Sequence, residues 1–295
     1  MLKNKKQINW LWGFLFIAPL TLGLYIFFLY PMVYSIFISF NKWNHLSLPE
    51  FTGIANYIRL FHDGGILREF FNTLFFVAAM VPCIIIVSLL LANTLNKPSP
   101  FNGYFRTVFF LPYVMLPVVS AQVWMIIFNS RYGILNALLK VFHLPQPVWF
   151  ANEWLVRIII IIVGLWASVG YYAIIILAGL QNIPQQYYEA CDLDGGSSWH
   201  KFIHITVPLV TPQLFYAAVV AVISIFKMFD YIFVFGKSNN FVLENLRTMA
   251  FGIYERGFTF LEMGYASAEA MALCIIVLVV TVVQQIGQKK WVHYS

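Results

Sequence analysis

The chain has 295 residues, of which 61% are hydrophobic and only 10% charged, and its mean hydropathy is +0.77. Soluble domains carry about 25% charged residues, so a soluble enzyme or binding domain is excluded and an integral membrane protein is indicated. The formal net charge of +6 does not indicate nucleic acid, because no basic run exceeds Lys5-Lys6 or Lys289-Lys290; lysines flanking membrane spans and meeting anionic lipid account for it.

A bilayer core of about 30 Å takes roughly 20 apolar residues of helix, and six runs of that kind occur. The first, 11–40, follows Lys3, Lys5 and Lys6 as a signal peptide would. It is too long for one and lacks a cleavage-like boundary, so it reads as a retained span, with a kink expected at Pro31. The second, 70–95, contains Pro82, and the third, 107–130, contains Pro112 and Pro117. The fourth, 158–183, is the most continuously apolar. The fifth, 207–235, is interrupted by Lys227 and Asp230, and the sixth is 266–288. Cys83, Cys191 and Cys274 are far apart and two lie in apolar runs, where cysteine behaves as a small hydrophobe, so neither a disulfide framework nor a metal site is expected.

The expected fold is therefore an all-α membrane protein, a single domain over 1–295 with six transmembrane helices and no internal repeat. An even number of spans puts both termini on one side. The lysines clustered at the two ends make that side cytoplasmic, although the outer loops carry as many bases along with most of the acids. Aromatics recur through those outer loops at Phe51, Tyr57, Phe61, Trp149, Phe150, Phe251, Tyr254 and Phe258, which predicts short amphipathic pieces there.

Between the fourth and fifth spans lies a polar loop, 184–206. Pro184 suits a first helical turn, a helix is predicted over 185–193, and Gly195-Gly196 supplies a left-handed stop. Ser197 or Ser198 then caps a second helix through Trp199, Phe202 and Ile203. Tyr187, Tyr188, Ala190, Cys191 and Leu193 give the loop a partly apolar surface, and Glu189 is a charge available to a partner's base. An amphipathic helix resting on lipid is the alternative, but the acids Glu189, Asp192 and Asp194 against Lys201 suit anionic lipid poorly.

Hydrogen-bonding groups beside aromatic faces could line a path for a polar ligand through the spans. Gly164, Ser168 and Tyr171 fall on one helical face of the fourth span, and Ser224, Met228 and Tyr231 do the same in the fifth. Ser120, Gln122 and Trp124 offer such groups in the third; ordinary packing of small residues between membrane helices is the alternative for all of them. Lys227 and Asp230, three apart, can meet on one helix face and are read as a structural charge pair. Glu269, near one end of the sixth span, is expected to reach water or a partner subunit. The spans hold Lys227 and Arg157 but no basic cluster, which points away from a strongly anionic substrate.

The central loop, EACDLDGGSSWHKFIHITVPLVTP from Glu189 to Pro212, resembles the EAA loop of permease subunits of ATP-binding-cassette importers, with Glu189, Ala190, Asp194, Gly195, Phe202, Ile205, Pro208 and Pro212 in the family's order and spacing. Cys191, Gly196 and Val207 replace the family's Ala, Ala and Leu. The likeness covers most of the chain. Gly179-Leu180-Gln181 resembles the family's usual approach to that loop, Ala18-Pro19 and Tyr30-Pro31 resemble the first span of sugar-importer permeases, and Asn56-Tyr57, Asn72-Thr73, Phe229-Asp230 and Gly264-Tyr265-Ala266 resemble the maltose-type carbohydrate branch, above all its first permease subunit. The resemblance implies a cytoplasmic coupling loop in which Glu189, Ala190, Cys191, Asp194, Gly195 and Gly196 meet an ATPase. It implies as partners a second homologous permease, two ATPase subunits, an extracytoplasmic solute-binding protein, a carbohydrate substrate and membrane lipid. This chain is expected to bind no cofactor and to be no enzyme, ATP with magnesium being used by the partner ATPases. Gly236-Lys237-Ser238 looks like the end of a phosphate loop, but Tyr231 stands where its earlier glycine is needed.

Two other classes remain. An ion-coupled secondary sugar transporter would usually show internal repeats. A membrane metalloenzyme would have to use His200 and His204, but Lys201 follows the first histidine, so the His-Glu-x-x-His pattern is absent.

Overall fold

The computed structural model describes residues 2–236 and 240–289; Lys237, Ser238 and Lys290, named above, lie outside them. Among the described residues the chain is helical apart from loops and one two-residue antiparallel ladder, Asn41–Lys42 against Glu50–Phe51. Two compact units form, one from Met1–Asp63 with Ile253–Ala272 and one from Gly64–Gly252 with Leu273–Ser295.

In the first unit, α1 (Leu2–Leu24) passes through a π-turn, Tyr25–Leu29, into α2 (Tyr30–Ser39). Pro31 has no N–H to give to the preceding turn. The Tyr30 N–H bonds to the Tyr25 carbonyl, so the helix shifts register by one residue, and Trp12–Ser39 continues as one apolar helix. The expected kink at Pro31 is thus a π-turn just before it. Nearly all its side chains are exposed, as a surface wetted by lipid requires.

After α2 the chain enters the short α3 (Ala55–His62). The Asn56 amide donates to the Ser39 and Asn41 carbonyls, both at 2.9 Å, and the Ser39 and Tyr57 hydroxyls are 2.7 Å apart. The start of α16 (Met263–Gln288) brings in Tyr265, whose hydroxyl donates to Asp63 at 2.8 Å. Arg59 lies 4.0 Å over the Tyr265 ring and pairs with Glu262 at 2.9 Å. Glu269 does not reach water. It is fully buried, and Arg256, from a π-turn at Glu255–Thr259, meets it at 2.8 Å, since a carboxylate in an apolar unit is tolerated only when paired.

The second unit contains α4 (Gly64–Leu95), α5 (Asn102–Val114), α6 (Pro117–Ile127), α7 (Ile134–Val141) and α8 (Glu153–Leu180). After these come α9 (Gln185–Leu193), α10 (Ser198–Lys201), a π-turn at Phe202–Thr206, α11 (Val207–Leu209) and α12 (Thr211–Phe226). The short α13 (Asp230–Gly236) and α14 (Asn240–Leu246) follow, and α15 (Met249–Tyr254) leads out of the unit. α8 is the centre: α4 and α5 pack along it, and α12 packs on α4 and α8. Their shared core includes Phe76, Ile84, Ile159, Ile160, Val163, Ile176, Ala217 and Ala221. α5 crosses α8 at Gly170, where a Cβ would run into the Phe109 carbonyl; small residues allow such close approach between membrane helices. Ser88 of α4 adds a 3.0 Å hydrogen bond to the Val169 carbonyl of α8.

Among the described residues four helices are long and apolar enough to cross a membrane, or up to six if each of two bent pairs is one span. The third apolar run is bent by 99° between α5 and α6, and the fifth by 65° between α11 and α12. Pro117 holds Leu116 in an extended conformation, ψ 125°, because the residue before proline is excluded from the α region. A further break, at residues 227–229, has no proline. Its freed Met228 carbonyl accepts from the buried Thr248 hydroxyl at 3.1 Å, which supplies the internal hydrogen bond that broken backbone at membrane depth needs.

Candidate functional site

The breaks at 115–117 and 227–229 lie on the wall of a cavity of about 290 Å³ in the second unit. Its wall combines hydroxyls of Tyr113, Ser168, Tyr172, Ser224 and Tyr231 with the apolar Met80, Ile84 and Met228. Lys227 and Asp230 line it too. No ion pair joins them among the described residues, because α12 ends at Phe226 and α13 begins at Asp230. The continuous helical face that the expected charge pair needed is absent, and the two groups stand on the cavity wall instead.

Of the residues expected along the path, Gly164, Ser168, Ser224, Met228 and Tyr231 line the cavity. Ser168 donates to the Gly164 carbonyl at 2.6 Å, which leaves its oxygen lone pairs for a ligand. Tyr171 is one helical step away and stacks on Tyr113, with ring centroids 4.1 Å apart and planes 5° apart. It braces the wall from behind. Ser120, Gln122 and Trp124 do not line the cavity: the 99° bend takes α6 off the line of α5. Ser120 is buried, Gln122 is exposed, and Trp124 packs against Phe128 and Trp166. The third run contributes its break, through Pro112, Tyr113, Met115 and Pro117.

Sequence reasoning missed Tyr113 and Tyr172. The two prolines flanking Tyr113 were the available signal, since paired prolines in an apolar run mark a place where backbone leaves the helix and lines a cavity. Arg157 takes no part in the cavity. It donates to the Asn72 side chain and the Asn245 carbonyl, each at 3.0 Å, and lies over Phe75 and Trp154, clamping α4, α8 and α14 together.

The polar loop forms a helix-turn-helix. Pro184 stands at the N-cap of α9 rather than inside its first turn. At the other end the Gly196 N–H bonds to the Cys191 carbonyl at 2.8 Å and the Gly195 N–H to the Asp192 carbonyl at 3.1 Å, with Gly195 at φ +75°. This crossed pair of bonds is the Schellman stop. The Ser197 hydroxyl then accepts from the His200 N–H at 3.2 Å and caps α10. Leu193, Trp199 and Tyr187 are 90%, 68% and 50% exposed. Glu189 and Ala190 are exposed as well, Cys191 and Gly196 are half-buried, and Glu189 makes no ion pair among the described residues. Lys201 pairs with Asp192 across the turn. The rings of His200 and His204 stack with centroids 4.1 Å apart, and among the described residues no third His, Cys, Asp or Glu joins them as a ligand set.

The pattern of the family described as binding-protein-dependent transport system inner membrane component matches residues 51–293. The chain belongs to this family. Among its relatives, the lactose transport system permease protein LacF of Rhizobium radiobacter is 30% identical over 286 residues, covering 96% of this chain and 95% of that one. The arabinooligosaccharides transport system permease protein AraP of Bacillus subtilis is 32% identical over 276 residues, covering 92% and 86%. A chain of a bacterial alginate ABC transporter, solved in complex with an alginate pentasaccharide-bound periplasmic protein, superposes with a TM-score of 0.85 over 98% of this chain and 97% of that one. At 20% identity that likeness concerns the fold, which the family member described here shares.

Proposed function

We propose that this protein is the membrane-spanning translocation subunit of an ATP-driven carbohydrate importer and that it couples to its ATPase through the loop 184–206. The observation that carries this reading is the loop itself. It is a capped helix-turn-helix with Glu189, which makes no ion pair among the described residues, and the exposed Leu193 and Trp199, an apolar and charged surface that a partner's cleft would cover. The partners proposed are a second homologous permease, two ATPase subunits on the side of both termini, taken as cytoplasmic, and an extracytoplasmic binding protein. In this reading ATP with magnesium is consumed by the partner ATPases, and this chain supplies no nucleotide site of its own.

The cavity supports a carbohydrate. Tyrosine rings beside serine hydroxyls, with one ammonium and one carboxylate not spent on each other, match a ligand that presents apolar ring faces and many hydroxyls. The relatives named for lactose and arabinooligosaccharide transport support the same class. Closure of the ATPases on ATP would move α9 and α10, and through the adjoining α8 and α12 change access to the cavity.

The test is purification of this subunit from detergent-solubilised membranes, with partner identification and sugar-stimulated ATPase assay. A second permease and an ATPase are expected to co-purify. Recovery of the chain alone, together with sugar uptake that survives ATP depletion, would instead indicate an ion-coupled transporter.

A further inference from the structure

A second cavity, of about 280 Å³, lies where the end of α4 meets the polar loop, lined among others by Asn93, Asn96, Lys97, Tyr188, Lys201 and Thr206. Its wall is rich in unspent donors. Lys97 makes no ion pair, and the Asn93 and Asn96 amides make no side-chain hydrogen bond, among the described residues. Of the carbonyls at this helix end, those of Ala92 and Thr94 accept the Asn96 and Lys97 N–H groups, and that of Lys97 accepts from Asn102 at 2.7 Å. Lys201 shares its ammonium with Asp192, which does not line the cavity. The charge at the site is therefore positive, carried mainly by Lys97. Gly64–Leu95 is one of the helices long and apolar enough to cross a membrane, so the cavity at its end stands at the depth of lipid headgroups. Basic pockets between helices at that depth take anionic headgroups, and charged donors bind phosphate oxygens about twice as strongly as neutral ones.

We propose that this cavity binds a phosphoryl anion, either the phosphodiester of an anionic phospholipid or free inorganic phosphate. The anion is held by Lys97, Lys201 and the amides of Asn93 and Asn96, and it bridges the end of α4 to the loop that carries Glu189. Binding does not depend on the transport role proposed above; the consequence that the anion sets the loop's position rests on that reading. A flanking lysine that merely snorkels to the interface would show no dependence on the two asparagines.

The test is native mass spectrometry of the delipidated full chain in detergent, titrated with dioleoyl-phosphatidylglycerol or dioleoyl-phosphatidylcholine. The wild type is expected to prefer the anionic lipid for its first site, and Lys97→Gln, which breaks no ion pair, to lose about tenfold of that preference. Asn96→Leu is expected to lose part of it, and Lys140→Gln, in α7, none. Displacement of the lipid by millimolar inorganic phosphate identifies free phosphate as a competent occupant, and resistance to it identifies the lipid. Equal preference in the wild type, Lys97→Gln and Asn96→Leu overturns the site. Because the readout is binding, that result leaves the ATPase-coupling reading standing, and a chain found to transport without ATP leaves the anion site standing.

Discussion

Gly195 holds the polar loop in shape, and the reason is a single dihedral angle. At φ +75° an L-residue pays roughly 1–2 kcal/mol, and proline cannot reach that angle or supply the N–H that bonds the Asp192 carbonyl. Gly195→Pro is expected to abolish ATP-driven uptake while the subunit stays in the membrane at normal level, checked by transport assay beside immunoblot. Normal uptake would remove the turn from the coupling path. Glu269 is the second decisive residue. Truncating it to alanine removes the carboxylate that Arg256, itself 11% exposed at the side chain, meets at 2.8 Å, and breaking a buried ion pair from one side costs about 3–5 kcal/mol. Glu269→Ala should therefore lower the thermal unfolding temperature of the purified protein far more than Glu262→Ala, whose partner Arg59 is half exposed. Equal shifts would mean that the buried pair contributes no more than the surface one. The sequence placed Glu269 close to a span end and suggested water or a partner subunit. Only the return of the 255–259 turn over α16 supplied the arginine that let it stay buried.

Elements differ in how much of their form is written locally. The loop's two caps were legible because a capping bond is closed by residues three to five apart in sequence, whose chemistry is specific. Glycine pairs and serines advertise themselves there. The 99° bend after Val114 was half legible, since Pro112 and Pro117 marked the place but not the angle. The break at 227–229 was marked only by the charges of Lys227 and Asp230, which did not show that the helix stops. No proline or glycine occupies it, and the hydroxyl that compensates its open carbonyl comes from Thr248, 20 positions on. Thr248→Val keeps the volume and removes that donor. It is expected to destabilise the protein by about 1–3 kcal/mol, the cost of a buried unsatisfied acceptor, measured by thermal unfolding beside Ser224→Ala as a control. An unchanged melting temperature would show that the carbonyl finds another donor.

For the whole molecule, the cavity is the feature that local reasoning approached and could not complete. Ser168 lies on its wall beside Gly164 and Tyr172, in a cavity of about 290 Å³ that an indole projecting from the wall would obstruct. Ser168→Trp is expected to block sugar uptake while the external binding protein still binds its ligand and the subunit remains in the membrane. Uptake at the wild-type rate would take the cavity out of the path. Composition and hydropathic run length by themselves determined that this is a multi-helix membrane protein, because a bilayer selects long apolar helices from any sequence that has them. The spacing of the polar loop determined its helix-turn-helix, because both caps are short-range. The tertiary structure alone decided which helical faces meet, and hence that Lys227 and Asp230 line a cavity rather than pair, that Tyr113 and Tyr172 join it, and that Ser120, Gln122 and Trp124 do not. Those outcomes depend on bend angles and on hydrogen bonds between residues distant in sequence, and a helical periodicity carries no information about either.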